Sequence, residues 1–471
     1  MICLVVSGSD PQGVAGTIEA ERKWIDLAEL RLDRFELASG LPGDVELLSS
    51  SALGALPRVI SCRRQAEGGG YTGSETARLS LLTEAVERLE PEYLEVEPDL
   101  LDSAEGRELA ELARRGGATI IRRRLGAPDP NEGVADWFRR IESAAPREIP
   151  KWVFPCTSSA ELLHLAGLAE GMARERPAGS RLLYATGELG AASQLLPRQF
   201  GSLWGYARPE AAEGAGCREE AGADPDSAGA GRVEDEPPRF TPQELVERFA
   251  YRHAFGGEPL FCVTGNPVLH SGSPGFHNRR FRDAALPGAY IAFPTDRVGP
   301  GLELFSALGF RGVSVTIPHK EAVVDYLQER DSSVAALGAC NTLLRLPSGR
   351  WRGRNTDVPG FMEPLRPVMP ELKGAHAVVI GAGGAARAVV YALLSEGCHV
   401  VVANRTAERA RRLAEEMGRA VAAKGGATPP VQGRSLTDRE LIAERFDLVV
   451  QTTSVGMDGV SEPLPELTFR P

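Results

Sequence analysis

The chain has few cysteines, few lysines and no long apolar segment. Its seven cysteines are scattered through 471 residues and none forms a C-x-x-C pair. This argues against a disulfide framework or a cysteine-based zinc site, and it favours a reducing compartment. No run approaches the roughly 18 apolar residues of a membrane-spanning helix. The first ten residues, MICLVVSGSD, lack a basic flank and are typical of a first strand, not of a signal peptide. We therefore predict a cytoplasmic protein with no membrane segment and no metal site.

Basic residues are outnumbered by acidic ones. Lys and Arg total 53, Asp and Glu total 64, and the formal net charge is −11, which disfavours nucleic acid and anionic lipid as partners. The apolar fraction of 42% and the charged fraction of 25% are those of globular proteins, which excludes a mainly disordered or fibrous chain. The length predicts about three domains. We expect small-molecule substrates, and the sequence does not indicate an oligomeric state.

Short apolar runs alternate with helical patterns through the first 209 residues. Eight β-α units in a segment of this length predict an α/β fold, a closed (β/α)₈ TIM barrel over residues 1–209. The predicted strands are Ile2–Gly8, Ile25–Asp33, Arg58–Arg63, Tyr93–Glu97, Ala118–Arg122, Lys151–Cys156, Leu182–Thr186 and Leu203–Ala207.

Several of these strands carry charged residues at or near their carboxyl ends. They include Glu29, Arg31, Arg63 and Glu97. Strands of a buried parallel sheet are normally apolar throughout, and the active site of such a barrel lies at the carboxyl ends of its strands. The alternative is that the charges are solvated at the rim. We favour a functional role for Glu29 and Arg31, which lie inside an otherwise apolar run.

The composition changes in residues 210–238. This segment is acidic, rich in Gly and Ala, and almost without large apolar side chains, which predicts a flexible insertion or linker. Residues 239–257 return to a helical pattern, with Thr241 as the N-cap and Pro242 just inside the helix.

A glycine-rich turn near residue 381 lies between an apolar strand and a helix, with a second strand after the helix. The turn residues are Gly381, Gly383, Gly384 and Ala385. Glycines let the backbone approach a pyrophosphate, and the helix N-terminus supplies N–H donors and the positive end of the helix dipole. The arrangement predicts a Rossmann dinucleotide site and disfavours the alternative of a tight turn only.

The end of the second strand indicates which dinucleotide binds. NAD sites usually place Asp or Glu there, to accept the ribose hydroxyls. Here Asn404, Arg405 and Thr406 follow the strand, and Arg409 comes one turn later. Because arginine pairs with a phosphate dianion, these residues predict NADP. The alternative is that both arginines are solvated, since arginine is abundant in this chain.

Further motifs occur in order between residues 260 and 457. They are Gly265-Asn-Pro-Val-Leu-His270-Ser271-Gly-Ser273-Pro, Val315-Thr316-Ile-Pro-His319-Lys320, Gly338-Ala-Cys-Asn341-Thr342, Gly353-Arg-Asn355-Thr356-Asp357, the Gly381 turn, Asn404-Arg-Thr and Thr453-Ser454-Val-Gly456-Met457. With them the segment resembles shikimate dehydrogenase, an enzyme of aromatic amino acid biosynthesis. So many ordered motifs argue against a chance match.

The resemblance implies a role for each matching residue. Lys320 would be the acid/base group at the reduced carbonyl, beside Asp357, because an ammonium donor stabilises the developing alkoxide. The residues that would hold 3-dehydroshikimate are Ser271, Ser273, Thr316, Asn341 and Asp357. The cofactor would also contact Thr453 and Met457. The resemblance implies a substrate domain over 258–367 and a Rossmann NADP domain over 368–471. Quinate is an alternative substrate, because the two activities share most of these motifs.

Two features depart from the family pattern. The family's Asn-Ala-Thr-Ser segment is Gln451-Thr-Thr-Ser454 here, and the sequence stops at Pro471, before the later strands and a substrate-contacting Gln of the family. The resemblance therefore implies an incomplete Rossmann domain, which a fragment or a shortened gene would explain equally well.

Residues 1–245 resemble type I 3-dehydroquinate dehydratase, which makes the substrate of the dehydrogenase. Lys151, at the start of an apolar strand, would be the family's Schiff-base lysine, and it is one of only five lysines. A lysine desolvated in a barrel has a lowered pKa and can attack a ketone. Glu29, Arg31, Arg63 and Glu97 would bind substrate or support the lysine.

Three barrel positions do not fit that family. Arg124 stands where the family has its catalytic His, Gln194 replaces the Arg that binds the substrate carboxylate, and Pro237-Pro238-Arg239 replaces Pro-Gly-Gln. Losing a general acid/base typically costs about 10²–10⁴-fold in rate. We hypothesise a weak or inactive dehydratase fused to a working dehydrogenase. One alternative is a fully bifunctional enzyme, with Arg124 tolerated or the alignment shifted by one residue. The other is a non-catalytic binding or regulatory remnant.

Overall fold

The computed structural model describes all residues except 9, 36–39, 50–52, 54–55, 127–132, 146, 176–180, 211–237, 424–428, 439–440, 442 and 456–471. Most of the predicted acidic segment and Met457 lie outside the described residues. The chain divides into two compact units. The first comprises Met1–Cys262, Leu269–Asp296 and Pro300–Gly309; the second comprises Val263–Val268, Arg297–Gly299 and Phe310–Pro471. The domain boundaries derived from the sequence stay predictions.

Eight parallel strands form one curled sheet in the first unit. They are β1 (Ile2–Val6), β2 (Leu27–Arg31), β3 (Arg58–Ser61), β4 (Tyr93–Val96), β5 (Thr119–Leu125), β6 (Ile149–Pro155), β7 (Leu182–Thr186) and β8 (Gly205–Ala207). Their order is β7-β6-β5-β4-β3-β2-β1-β8. The Leu203 N–H donates to the Arg181 carbonyl at 3.0 Å, which brings the two edge strands together. The predicted eight-stranded α/β barrel is confirmed.

Helices cover the outside of this sheet. They are α1 (Pro11–Glu21), α2 (Glu75–Leu89), α3 (Ala104–Arg115), α4 (Val134–Ala144), α5 (Ser159–Glu175) and the short α6 (Ala191–Leu195). Asp10, Ser74 and Ser103 cap the first three, each accepting a hydrogen bond from the backbone N–H three residues further on. Such caps satisfy N–H groups that a helix leaves without an internal partner.

The helix predicted from Thr241 begins as expected but is interrupted. Thr241 and Glu244 form a capping box, in which each side chain accepts from the other's backbone N–H at 3.1 and 2.9 Å. A π-helical turn then spans Glu244–Arg248. Ala250 has a φ of 51°, so α7 (Tyr251–Gly256) starts as a separate helix.

The barrel interior has an apolar layer and a charged layer. Side chains alternate between the two faces of a strand, so every second residue points inward. The apolar layer consists of Cys3, Leu27, Val59, Ile121, Ile149, Leu182, Trp204 and Tyr206. The next inward position of several strands is charged, and these residues form the first candidate site.

A six-stranded mixed sheet follows the barrel. Its elements are β9 (Leu260–Gly265), α8 (Ser273–Asp283), β10 (Ala289–Pro294), α9 (Val298–Ala307), β11 (Phe310–Val315), β12 (Glu329–Arg330), α10 (Ser332–Leu337), β13 (Thr342–Arg345), β14 (Trp351–Arg354) and α11 (Asp357–Leu365). The order is β10-β9-β11-β13-β14-β12, and β13 is antiparallel to both neighbours. A 3₁₀ turn spans Ala322–Tyr326 after β11.

The last described part of the second unit has dinucleotide-fold topology. It contains β15 (His376–Ile380), α12 (Gly384–Ser395), β16 (His399–Asn404), α13 (Ala407–Ala422), β17 (Val431–Ser435) and β18 (Leu448–Gln451). The parallel order β17-β16-β15-β18 is the 3-2-1-4 order of a Rossmann sheet, whose ligands bind at the carboxyl ends of the strands. In the part of the chain that the structure describes, no helix is long and apolar enough to cross a bilayer.

Candidate active sites

Lys151 is fully buried in the barrel interior. Its Nζ lies 2.6 Å from Glu95 Oε2 and 3.9 Å from Glu29 Oε2, and 4.4 Å from the centre of the Tyr206 ring. Burial lowers the pKa of the Lys151 ammonium, although Glu95 and Glu29 oppose this effect. A lysine with a lowered pKa is a candidate nucleophile toward a carbonyl carbon.

Glu95 is held by cations on neighbouring strands. Arg63 Nε donates to Glu95 Oε1 at 2.8 Å, and Arg63 also pairs with Glu29. The Ser61 hydroxyl donates to Glu29 at 2.8 Å. Burial by itself would raise the pKa of Glu95, but attraction to Arg63, Lys151 and Arg123 lowers it to about 2. Glu95 therefore stays ionised beside the lysine, where it accepts a hydrogen bond from Nζ.

Two predicted barrel residues lie in separate ion pairs. Arg31 donates twice to Asp33, at 2.9 and 2.7 Å. Glu97 accepts from Arg78 at 3.0 Å. Glu29 and Arg63, by contrast, belong to the Lys151 cluster. Glu95 was not predicted as the residue that contacts the lysine; the only signal in the sequence was its place two residues before Glu97, which directly follows β4.

Arg124, which the resemblance places at the position of the catalytic His, and its neighbour Arg123 lie on opposite faces of β5. Arg124 lies over the Trp152 ring, with its guanidinium carbon 4.7 Å from the ring centre. Arg123 points into the barrel instead, with its Nε 3.6 Å from Glu95 Oε1. A one-residue shift moves a strand residue to the other face. His164, the only histidine before residue 253, is exposed on α5.

The second candidate site brings together Lys320, Asp357 and Asn341. Lys320 Nζ donates to Asp357 Oδ2 at 2.7 Å, and Asn341 Nδ2 donates to Asp357 Oδ1 at 2.7 Å. Their side chains are partly accessible, 16% for Lys320 and 26% for Asp357. Lys320 follows β11, Asn341 precedes β13 and Asp357 begins α11, so three separate elements fix the triad. An ammonium oriented by a carboxylate can donate a proton to a bound ligand.

The remaining predicted substrate residues divide between the two units. Thr316 is half-buried in the second unit, where its N–H donates to the Thr264 carbonyl at 2.8 Å. Ser271 and Ser273 belong to the first unit. The Ser273 N–H donates to Ser271 Oγ at 3.2 Å, and Ser273 is the first residue of α8.

The glycine-rich turn joins β15 to α12 as predicted. Gly381 has a φ of 114°, and a Cβ there would lie 2.4 Å from Thr452 Oγ1, so only glycine fits. A Cβ on Gly383 would meet nothing within 4 Å. Gly383 is the N-cap of α12 and no side chain caps this end. The first N–H groups of α12 can therefore bind an anion.

The residues predicted to determine the specificity for NADP follow β16. Arg405, Thr406 and Arg409 are exposed, and Asn404 Nδ2 donates to the Thr406 carbonyl at 3.1 Å. Thr453 is half-buried after β18, while Ala385 lies in the first turn of α12. Accessible guanidinium groups at the end of the second strand suit a phosphate group on the ribose.

Gly384 brings the nucleotide turn against the Lys320 side chain. A Cβ at this position would lie 2.8 Å from Lys320 Cβ, at the base of the lysine side chain, where little movement is possible. Gly384→Ala is therefore expected to displace Lys320 and to lower kcat/KM of the second site by about 10²-fold, the cost of a misplacement near 1 Å. Gly360→Ala is the matched control, because its Cβ would meet nothing within 4 Å. Equal activity of the two variants would contradict the expected displacement.

Comparison with known proteins identifies the second half of the chain. Residues 263–343 match the family model "Shikimate dehydrogenase substrate binding domain", and residues 365–455 match "Shikimate / quinate 5-dehydrogenase". A shikimate dehydrogenase (NADP(+)) of Shouchella clausii is 39% identical over 201 residues, which cover 42% of this chain and 70% of the relative. The chain belongs to the shikimate dehydrogenase family. A second shikimate dehydrogenase (NADP(+)), of Moorella thermoacetica, is 43% identical over 218 residues, 45% of this chain and 72% of the relative.

The barrel has a match of its own. Residues 2–219 match the family model "Type I 3-dehydroquinase". A bifunctional 3-dehydroquinate dehydratase/shikimate dehydrogenase of Arabidopsis thaliana, described as chloroplastic, is 27% identical over 488 residues, 99% of this chain and 73% of the relative. The segments that match the shikimate dehydrogenase models thus follow the segment that matches the dehydroquinase model, in the order in which the plant protein's name joins the two activities.

Proposed function

We propose that the chain is a bifunctional enzyme of the shikimate pathway. The barrel would dehydrate 3-dehydroquinate to 3-dehydroshikimate, and the second part would reduce that product to shikimate with NADPH. The proposal rests on two lysine–carboxylate pairs, Lys151 with Glu95 and Lys320 with Asp357, each 2.6–2.7 Å apart. Lys151, Glu95 and Lys320 lie in segments that match the corresponding family models, and Asp357 lies between the two shikimate dehydrogenase segments.

In the barrel, the neutral amine of Lys151 attacks the ketone of the substrate. Water leaves and a Schiff base forms between Nζ and the carbonyl carbon, which acidifies the neighbouring C–H. Burial favours the neutral amine, and the Glu95 carboxylate accepts a hydrogen bond from Nζ and so fixes its position. Glu29 and Arg63 hold Glu95 and Lys151 in this arrangement through their own contacts.

In the dehydrogenase part, bound NADPH supplies a hydride to the ketone of 3-dehydroshikimate. The uncapped start of α12 and the open space beside Gly383 fit a pyrophosphate, and Arg405 and Arg409 fit the additional phosphate that distinguishes NADP. Lys320 donates a proton to the substrate oxygen, and Asp357 orients the ammonium. Thr316 and Asn341, in the same unit as Lys320, hold hydroxyl groups of the substrate.

A second candidate function is a working dehydrogenase beside a weak dehydratase. One observation favours it: no histidine of the described residues lies in the Lys151 cluster, and His164, the only histidine before residue 253, is exposed on α5. Without a near-neutral proton carrier, removal of the substrate proton would be slow. Under this alternative Lys151 still forms the Schiff base, and only the later proton transfers are slow.

The dehydrogenase assignment is tested by the oxidation of NADPH and NADH with 3-dehydroshikimate. We expect oxidation of NADPH and a far weaker reaction with NADH.

The barrel assignment is tested by adding 3-dehydroshikimate together with borohydride. Borohydride reduces a Schiff base to a stable secondary amine, whose position in the chain is found by mass spectrometry. We expect the adduct on Lys151. No adduct there would contradict the barrel assignment, and the absence of both reactions would favour a non-catalytic protein.

The pH dependence of the rate at which this adduct forms tests the contact between Glu95 and Lys151. Because burial lowers the pKa of Lys151, the trapping rate should rise with pH to a plateau whose midpoint lies below the ordinary lysine value. The Glu95 carboxylate opposes that shift, so Glu95→Gln should lower the pKa of Lys151 further and move the midpoint to lower pH. A midpoint that moves to higher pH would contradict the contact between the two side chains.

A further inference from the structure

The Tyr206 side chain carries a buried hydroxyl group into the barrel interior. Tyr206 is 5% exposed, and its hydroxyl has no hydrogen-bond partner among the described residues. Buried hydroxyl groups are normally hydrogen-bonded, because one without a partner has given up its bonds to water and gained none in return. A hydroxyl in this state is available to a ligand that enters the barrel.

The same tyrosine packs against the proposed nucleophile. Lys151 Nζ lies 4.4 Å from the centre of the Tyr206 ring and 5.8 Å from the centre of the Tyr184 ring, and the two ring centres are 5.2 Å apart. Glu29 and Glu95 are close enough to the Tyr206 hydroxyl to act on its pKa, which places this hydroxyl with the Lys151 cluster. A substrate joined to Nζ therefore lies beside the Tyr206 phenol.

The carboxylates of the cluster are poorly suited to carry protons. Glu95 accepts hydrogen bonds from Lys151 and Arg63, which help to lower its pKa to about 2, and Glu29 pairs with Arg63. A phenol differs from them because it can both donate and accept a hydrogen bond. Burial and the Glu29 carboxylate raise the pKa of Tyr206 well above its ordinary value, so the phenol enters the reaction protonated.

We propose that the Tyr206 hydroxyl is the acid/base group of the barrel, in place of the histidine that the resemblance implies for a dehydratase. The proposal rests on the proposed function and deepens it by naming a catalytic residue for the dehydration. Tyrosine is among the side chains that enzymes use for general acid–base catalysis. The only histidine before residue 253, His164, is exposed on α5 and does not belong to the cluster.

The hydroxyl acts in two successive proton transfers. When the adduct of Nζ and the substrate carbonyl loses its oxygen, the C–O bond breaks, the nitrogen lone pair forms the C=N bond, and the oxygen leaves as water with the Tyr206 proton. The phenolate then takes a proton from the carbon beside the C=N bond. The C–H electron pair forms a C=C bond, the C=N pair returns to nitrogen, and the hydroxyl is restored. The phenolate exists only beside the iminium cation, whose charge stabilises it.

The test is the dehydration of 3-dehydroquinate by the full chain without NADPH, so that 3-dehydroshikimate accumulates and its ultraviolet absorbance is measured. Tyr206→Phe removes only the hydroxyl and keeps the ring beside Lys151. We expect kcat to fall by about 10²–10⁴-fold, the range for loss of an acid/base group, with little change in KM. Tyr93→Phe is the matched control, because the Tyr93 ring packs on the apolar layer, 5.4 Å from the Trp204 ring. It should leave kcat unchanged.

Three further measurements separate a catalytic role of the hydroxyl from a structural one. The Tm of Tyr206→Phe should equal or exceed that of the unaltered chain, because the hydroxyl has no partner to lose. Deuterium at the carbon that loses its proton should slow Tyr206→Phe more than the unaltered chain, because proton removal then limits the rate. Borohydride with 3-dehydroshikimate should still give the adduct on Lys151 in this variant, although more slowly.

Equal kcat values of Tyr206→Phe and Tyr93→Phe would overturn the proposal. An unaltered chain that forms the Lys151 adduct but does not dehydrate 3-dehydroquinate would also overturn it, while leaving the Schiff base in place. A Tyr206→Phe chain that fails to fold would show that the hydroxyl has a structural role, which is a third contradicting result. Absence of the adduct in the unaltered chain would instead contradict the Schiff-base function itself, and the proposal with it.

Discussion

Lys151→Met is expected to lower the dehydration of 3-dehydroquinate by more than about 10³-fold, the scale on which a catalytic nucleophile is lost. It should also abolish the borohydride adduct. The reason is that Nζ is the atom that forms the Schiff base, and no other lysine occurs in the described part of the barrel interior. Methionine has a similar length and is apolar, and Glu95 keeps Arg63 and Arg123 as partners. The barrel should therefore stay folded.

Lys23→Met is the matched control for this variant. Lys23 is an exposed lysine of the same unit, with its Nζ 4.6 Å from the centre of the Trp24 ring. We expect unchanged dehydration and an unchanged adduct on Lys151. Reduction of 3-dehydroshikimate, measured by NADPH oxidation, should be the same in both variants. Dehydration that survives in Lys151→Met would contradict the role assigned to this lysine.

Asp357→Asn is expected to lower kcat for the reduction of 3-dehydroshikimate by about 10²–10⁴-fold, the range for loss of acid/base function. The variant removes the charge that orients Lys320 at 2.7 Å but keeps the shape of the side chain. Asp325→Asn, at an exposed aspartate of the same unit, should have no effect. Initial rates of NADPH oxidation at saturating cofactor measure both. A kcat of Asp357→Asn close to that of the control would exclude the proposed orienting role.

The eight barrel strands could be predicted from the sequence because each is a short apolar run bounded by turn residues. Which face of β5 each residue occupies could not be predicted, because Arg122, Arg123 and Arg124 are consecutive and show no alternation of polar and apolar side chains. The structure places Arg123 toward Glu95 and Arg124 toward Trp152. The structure thus brings Arg123, and not Arg124, next to Glu95 in the Lys151 cluster.

In the second unit, the ordered motifs of the sequence are sufficient to predict Lys320, Asn341 and Asp357 as site residues. Their hydrogen bonds connect residues up to 37 positions apart, which local periodicity cannot predict. The contact of Gly384 with Lys320 could not be predicted from the sequence either, because the nucleotide turn alone is enough to explain a glycine at this position. The mixed sheet was harder still to predict from the sequence, because β13 and β14 are short antiparallel strands with polar residues at their ends.

The most direct test of the bifunctional account is NADPH oxidation by the full chain supplied with 3-dehydroquinate alone, compared with 3-dehydroshikimate. The account predicts oxidation with both substrates, because the barrel must first convert 3-dehydroquinate into the substrate of the dehydrogenase. Lys151→Met should then respond only to 3-dehydroshikimate. Oxidation with 3-dehydroshikimate but not with 3-dehydroquinate would contradict the account and favour a working dehydrogenase beside an inactive barrel.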